Sequence, residues 1–168
     1  MTSTPQAPIP DTPVEPVTPE RISELLDAEG LQHRLESAPV AAGEEQTTLV
    51  RTGFLNTAIA ISIDGNQLVC DSMWRGEIPK DDAPQLLGLC NSWNQAHFMP
   101  TLRFFENSAG TGHLTASAHR QVDITHGMSR NQIGAFIMST FDGLLRAYEF
   151  IEGQFPQLVT WEEPNHEQ

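Results

Sequence analysis

The stretch TAIAISIDGNQLVCDSMW, residues 57 to 74, constrains the fold more than any other part of the chain. Ile59, Ile61 and Ile63 alternate with Ala58, Ala60 and Ser62, the two-residue period of a strand with one apolar face. Asp64-Gly65 is a favoured turn dipeptide, and QLVCDSMW resumes the strand pattern beyond it, so the segment is a hairpin. Its apolar face must be covered by something else. An antiparallel sheet beneath helices answers that need.

Other segments supply the missing parts. Residues 47 to 53 are strand-like. Residues 113 to 124 form the cleanest strand: Leu114, Ala116, Ala118, Val122 and Ile124 face one way, and His113, Thr115, Ser117, His119, Gln121 and Asp123 the other. Thr101 to Glu106 begins a further strand. Thr18-Pro19-Glu20 opens a short helix with a hydroxyl cap, proline at the first position and an acid at the positive end of the dipole; Gly30 stops it. Asp82, with Gln85 three residues on, reads as the capping box of a second helix, which Pro100 ends. On that helix Ala83, Leu86, Leu87, Leu89, Cys90, Trp93 and Ala96 share a broad apolar face. Ser129 and Gln132 open a third helix of about 24 residues that ends at Gly153.

The expected class is therefore α+β in the order α-β-β-β-α-β-β-α, an antiparallel five-stranded sheet with helices packed on one face. Strands and helices do not alternate, which excludes a doubly wound parallel sheet.

Six of the twelve prolines fall within the first 19 residues, among Thr, Ser, Gln and Ala, so residues 1–17 read as a disordered tail. Residues 18–160 form one domain and residues 161–168 an acidic C-terminal tail. Val40 to Gln46 (VAAGEEQ) reads as a mobile connection. The net charge of −13 is concentrated at the two ends. Residues 1–45 hold nine acids against two arginines, and residues 149–168 hold five acids and no base. With a single lysine, Lys80, the chain lacks the clustered cations that nucleic acid or an anionic membrane surface requires. Two cysteines twenty residues apart fit neither a disulfide framework nor a zinc site. No basic leader or long apolar run occurs, so a cytoplasmic protein with free thiols is expected.

Catalytic patterns fail one by one. His113 and His119 share a strand face but lie about 20 Å apart along it, too far for one metal ion. Cys70 and Cys90 lie on apolar stripes, not in a Gly-rich elbow. Asp81-Asp82 is explained by helix capping, and there is no Walker loop or G-x-G-x-x-G. Arg120, a lone charge among Ala118, Val122 and Ile124, must find carboxylates, carbonyls or a surface.

The opening helix TPERISELLDAEGL, the hairpin IAISIDGNQLVCDSMW, the junction CNSWNQAHFMPTLRFF with its Asn-x-Trp-Asn core, and the long last helix ending in GQFP occur in an order and spacing that resembles the YbjN-like family of bacterial proteins. Members of that family are labelled sensory transduction regulators, with a fold like that of type III secretion chaperones. The resemblance spans about residues 18 to 156. It implies that fold and a tendency to dimerise; family members are not known as enzymes, so it supplies no catalytic residue.

The resulting expectation is a non-enzymatic protein-binding module, chaperone-like or regulatory, acting as a homodimer on an unidentified protein partner, with no cofactor and no metal. The alternative is a small-molecule or peptide sensor with a pocket near Trp93, Asn94 and His97. Arg120 is a candidate partner contact, and Phe136 and Phe150, lying off the main stripe of the last helix, are candidate interface aromatics. A bracing role is expected for Trp93, with its indole N–H on a carbonyl, and for Asn91 and Asn94 at the helix exit.

Overall fold

The computed structural model describes residues 10–38, 47–107 and 112–161. The hairpin forms where the alternation places it: β3 (Thr57–Asp64) pairs with β4 (Gln67–Trp74) around Asp64-Gly65, with Ile61 opposite Cys70. Gly65 takes a positive φ of 57°, which the tight turn requires and a side chain disfavours. Around this pair a seven-stranded antiparallel sheet is built. β2 (Thr47–Phe54) joins β3, and β1 (Arg34–Ala38) joins β2 as one edge. On the other side β4 pairs with the eleven-residue β7 (His113–Asp123).

Strand β7 has more partners than the sequence suggests. Ser117 lies opposite both Met73 of β4 and Arg103 of β6 (Thr101–Glu106), so β4 and β6 occupy its two edges. Leu114 lies opposite both Glu106 and Ile78, which puts the two-residue β5 (Ile78–Pro79) on the edge that β4 has left. Five strands were expected and seven are found among the described residues. β1 and β5 escaped because RLESA carries a single core-type residue and Ile78-Pro79 is held only by its distant partner on β7.

The helices are α1 (Pro19–Ala28), α2 (Ala83–Ala96) and α3 (Arg130–Gln154). Thr18 caps α1, its hydroxyl accepting from the Arg21 N–H at 3.2 Å. Ser129 and Gln132 complete the capping box of α3 in both directions. The Asp82 box of α2 does not form: Asp82 belongs to a short 3-10 turn, Lys80–Asp82, and its side chain makes no cap bond. The buried stripe of α2 is also narrower than the expected arc. Only Leu86, Cys90 and Trp93 are buried, and Leu87 is half exposed, because the helix packs mainly on β6 near the margin of the sheet.

The core is one continuous body. From the sheet come Ile59, Ile61, Leu68, Cys70, Trp74, Ala116 and Ala118, and from α3 come Ile133, Ile137, Phe141, Leu144, Tyr148 and Ile151. Each fully buried aliphatic or aromatic side chain contributes about 1.5–3 kcal/mol relative to exposure. Phe136, expected on a flank, is buried in this core. Tyr148 anchors α3 to the sheet: its hydroxyl accepts from the Ala118 N–H at 2.9 Å and sits 2.7 Å from the Ser72 hydroxyl, which donates to the Ala118 carbonyl. All these buried polar atoms are thus satisfied.

Composition assigns residues 10–17 to the tail, but they lie along the α1–α3 junction. Glu15 and Met128 exchange backbone bonds, and the Arg21 guanidinium donates to the carbonyls of Glu15, Pro16 and Met128. Asp11 accepts from the Asn131 N–H, and contacts at the start of α3, Ser129 first, hold its carboxyl below the ordinary value. The connection 40–46 and the acidic residues 162–168 lie outside the described residues.

Candidate functional site

The α2–β6 corner carries the Asn-x-Trp-Asn residues. Trp93 is buried, and its indole N–H donates to the Pro100 carbonyl at 2.9 Å. Asn94 makes two bonds to one residue. Its amide donates to the Leu102 carbonyl and its oxygen accepts from the Leu102 N–H, both at 2.8 Å. It therefore meets β6 as a neighbouring strand would. His97 stacks on Trp93 with ring centroids 3.6 Å apart and planes 10° from parallel, and its Nδ1 lies 3.0 Å from the Trp93 carbonyl. Phe150 of α3 touches the same indole at 5.7 Å. Asn91 is exposed and its side chain makes no hydrogen bond among the described residues, so of the two amides only Asn94 braces the helix exit. Nearby, α3 passes close to Met99 and Pro100 at Gly143, where a Cβ would stand 2.9 Å from the Met99 sulfur.

Arg120 lies on the inner face of β7, opposite Cys70. Its guanidinium donates to the hydroxyls of Ser139 (2.8 Å) and Thr140 (2.9 Å) and to the Phe136 carbonyl (3.3 Å), and its carbon lies 4.7 Å from the centre of the Phe136 ring. A cation among apolar neighbours is thus satisfied by hydroxyls and a ring face instead of a carboxylate. Burial lowers its pKa from the ordinary value. Burial also raises both thiols, Cys70 to about 12 and Cys90 to about 11, which removes the thiolate that nucleophilic chemistry needs near neutral pH.

The outer face of the sheet holds charged residues that the sequence pattern did not single out. Asp71 accepts from Arg103 and from the Ser117 hydroxyl at 3.2 Å, with His119 Nδ1 at 3.7 Å. Glu36 accepts from Arg51 at 2.8 Å and lies 3.5 Å from Arg34. Among the described residues the guanidinium of Arg75, just past β4, donates only to the Thr57 carbonyl at 3.3 Å. Period-two alternation would have placed Arg51 and Asp71 outward, but their neighbours follow from register across several strands. Among the described residues no group of three or more His, Cys, Asp or Glu side chains could hold a metal ion. No helix among them is long and apolar enough to cross a membrane.

The fold and these clusters define a class: an α+β protein whose antiparallel sheet carries three helices, with its conspicuous polar side chains bonded to its own backbone or to one another. Residues 18–153 match the family model YbjN, described as "Putative bacterial sensory transduction regulator", and the chain belongs to that family. Its structure is similar to a solved one described as a crystal structure of YbjN, "a putative transcription regulator from E. coli", at 10% identity. That likeness covers 87% of this chain and 98% of the other with a TM-score of 0.65, and concerns the fold alone. No curated protein matches.

Proposed function

We propose that the protein is a non-enzymatic, cytoplasmic protein-binding module, chaperone-like or regulatory, that acts as a homodimer. The observation that carries this reading is how the polar residues are used. Trp93, Asn94, His97 and Arg120 bond to the protein's own backbone and hydroxyls, while Met73 and Phe105 on the outer sheet face and Phe98 at the α2–β6 corner remain exposed. Catalysis requires an acid, base or nucleophile aimed at open space, and the buried thiols are protonated near neutral pH. Exposed apolar side chains on a rigid sheet suit protein contact. The description of the family as regulators agrees with this reading.

Affinity purification of the full chain from its native cells tests the module. A defined protein present at fixed stoichiometry, and retained through washing, is the expected result. Turnover of a substrate in a broad hydrolase screen would overturn it.

A further inference from the structure

Two hollows on the sheet run into one another. The first, about 700 Å³, is lined by Arg34, Glu36, Arg51, Gly53 and Arg75; the second, about 550 Å³, by Met73, Arg75, Phe105 and Thr115. They share Ala58 and Arg75. Together they form a trough that is basic at one end; at the other Met73 (44% exposed) and Phe105 (43%) lie between Glu77, beside His113, and Glu106, which Lys80 neutralises.

The basic end is out of keeping with a chain of net charge −13. Three guanidinium groups line that hollow with a single carboxylate, Glu36, which Arg51 and Arg34 share. Among the described residues no carboxylate pairs with Arg75. Outside the trough Arg103 pairs with Asp71, Lys80 with Glu106 and Arg146 with Asp142, whereas Arg21, Arg120 and Arg130 bond carbonyls or hydroxyls. The arrangement also has a built feature. A Cβ on Gly53 would lie 2.5 Å from the Thr57 carbonyl and 3.3 Å from the Arg75 guanidinium, so glycine leaves the space in which Arg75 lies across the strand.

We propose that this trough docks an extended acidic peptide segment of a partner protein, its carboxylates on Arg34, Arg51 and Arg75 and one apolar side chain against Met73 and Phe105. Arg34 and Arg51 are register partners on adjacent strands, and Arg75 lies over Gly53, two residues along from Arg51. Arg51 and Gly53 stand about 7 Å apart along β2, the spacing of alternate residues in an extended peptide, so carboxylates at alternate positions face Arg51 and Arg75, with Arg34 one strand, about 4.8 Å, to the side. A planar guanidinium fork suits a carboxylate. A long polyanion such as nucleic acid would extend beyond the three guanidinium groups and meet the net charge of −13 of the whole chain; a short segment would not. The proposal rests on the protein-binding reading above and specifies the partner's chemistry.

Fluorescence anisotropy with the full chain tests it. The probe is a labelled peptide of alternating glutamate and serine with one phenylalanine at either end. Binding is expected to weaken with added salt, and to fall at least about fivefold in Arg75→Glu and in Arg51→Glu, with no change in Arg146→Glu. Arg75→Gln, which keeps the space filled without the charge, should fall in the same direction with an unchanged melting temperature. Equal binding of a glutamine-for-glutamate peptide would overturn the proposal, as would indifference to Arg75→Gln or tighter binding of a single-stranded oligonucleotide of equal charge. Binding seen only after removal of residues 162–168 would overturn it too, since it would assign the trough to the chain's own acidic end. A partner protein that still co-purifies with Arg75→Glu would sink this surface and leave the protein-binding module standing.

Discussion

Asn94 and Cys70 show how single side chains are committed to the fold. Asn94 satisfies both backbone groups of Leu102, and alanine there removes two hydrogen bonds from a partly buried strand. Asn94→Ala should cost about 1–2 kcal/mol in urea denaturation, and Asn94→Asp nearly as much, because a carboxylate keeps the acceptor but faces the Leu102 carbonyl. Cys70 is buried beside Arg120, and burial raises its thiol from 9.0 to about 12. Between those values the folded protein holds a proton that the unfolded chain has lost. Stability from this group is therefore complete below pH 9 and falls as pH rises toward 12. Cys90 and Tyr148 act in the same sense, each raised chiefly by burial. In Cys70→Ala, the loss of stability between pH 9 and 11 should be shallower by up to about 1.4 kcal/mol per pH unit. An unchanged slope would show that Cys70 ionises normally in the folded state.

The elements that the sequence discloses are those whose cause is local. The β3–β4 hairpin is set by a turn dipeptide between two alternating runs, and α3 by Ser129, Gln132 and a helical stripe, so both fall where the pattern puts them. β5 is two residues held only by β7, and Arg34, Arg51 and Arg75 meet only because β1, β2 and β3 pair in one register. Such contacts have no signature within a window of sequence. The bracing roles of Trp93 and Asn94 are legible for a local reason, since both stand within a few residues of Pro100. The overestimated face of α2 has a physical cause as well: a wheel shows which side chains share a side but not how wide a surface covers them. The Tyr148 anchor joins three elements far apart in sequence. Tyr148→Phe leaves the buried Ala118 N–H without its acceptor and should cost about 2 kcal/mol. In a double-mutant cycle by thermal melting, Ser72→Ala should add less to Tyr148→Phe than it costs alone, because the two hydroxyls share one network. Strict additivity would mean that they act separately.

Across the whole molecule two surface features stand apart from one another. The basic end of the trough lies toward the β1 edge and its other end reaches Phe105 near the end of β6, whereas Phe98, 98% exposed, stands before the start of β6 beside a hollow of about 380 Å³ lined by Met99, Thr101, Gln121 and Val122. In a two-fold dimer the same patch meets itself, so Phe98 of each copy can enter the hollow beside the other's. Such a contact leaves the trough of each copy open, and a dimer of this kind would offer a partner two acidic-segment sites at once. Light scattering with chromatography should therefore give twice the mass of the 18.6 kDa chain at micromolar concentration, and the melting temperature should rise with protein concentration. Phe98→Ser removes an exposed side chain with little packing to lose, so it should yield a folded monomer whose melting no longer depends on concentration. A monomer in the wild type would refute the homodimer outright. A Phe98→Ser protein that stays dimeric would move the interface elsewhere and put self-association in competition with the trough, which a drop in peptide affinity at high protein concentration would then reveal.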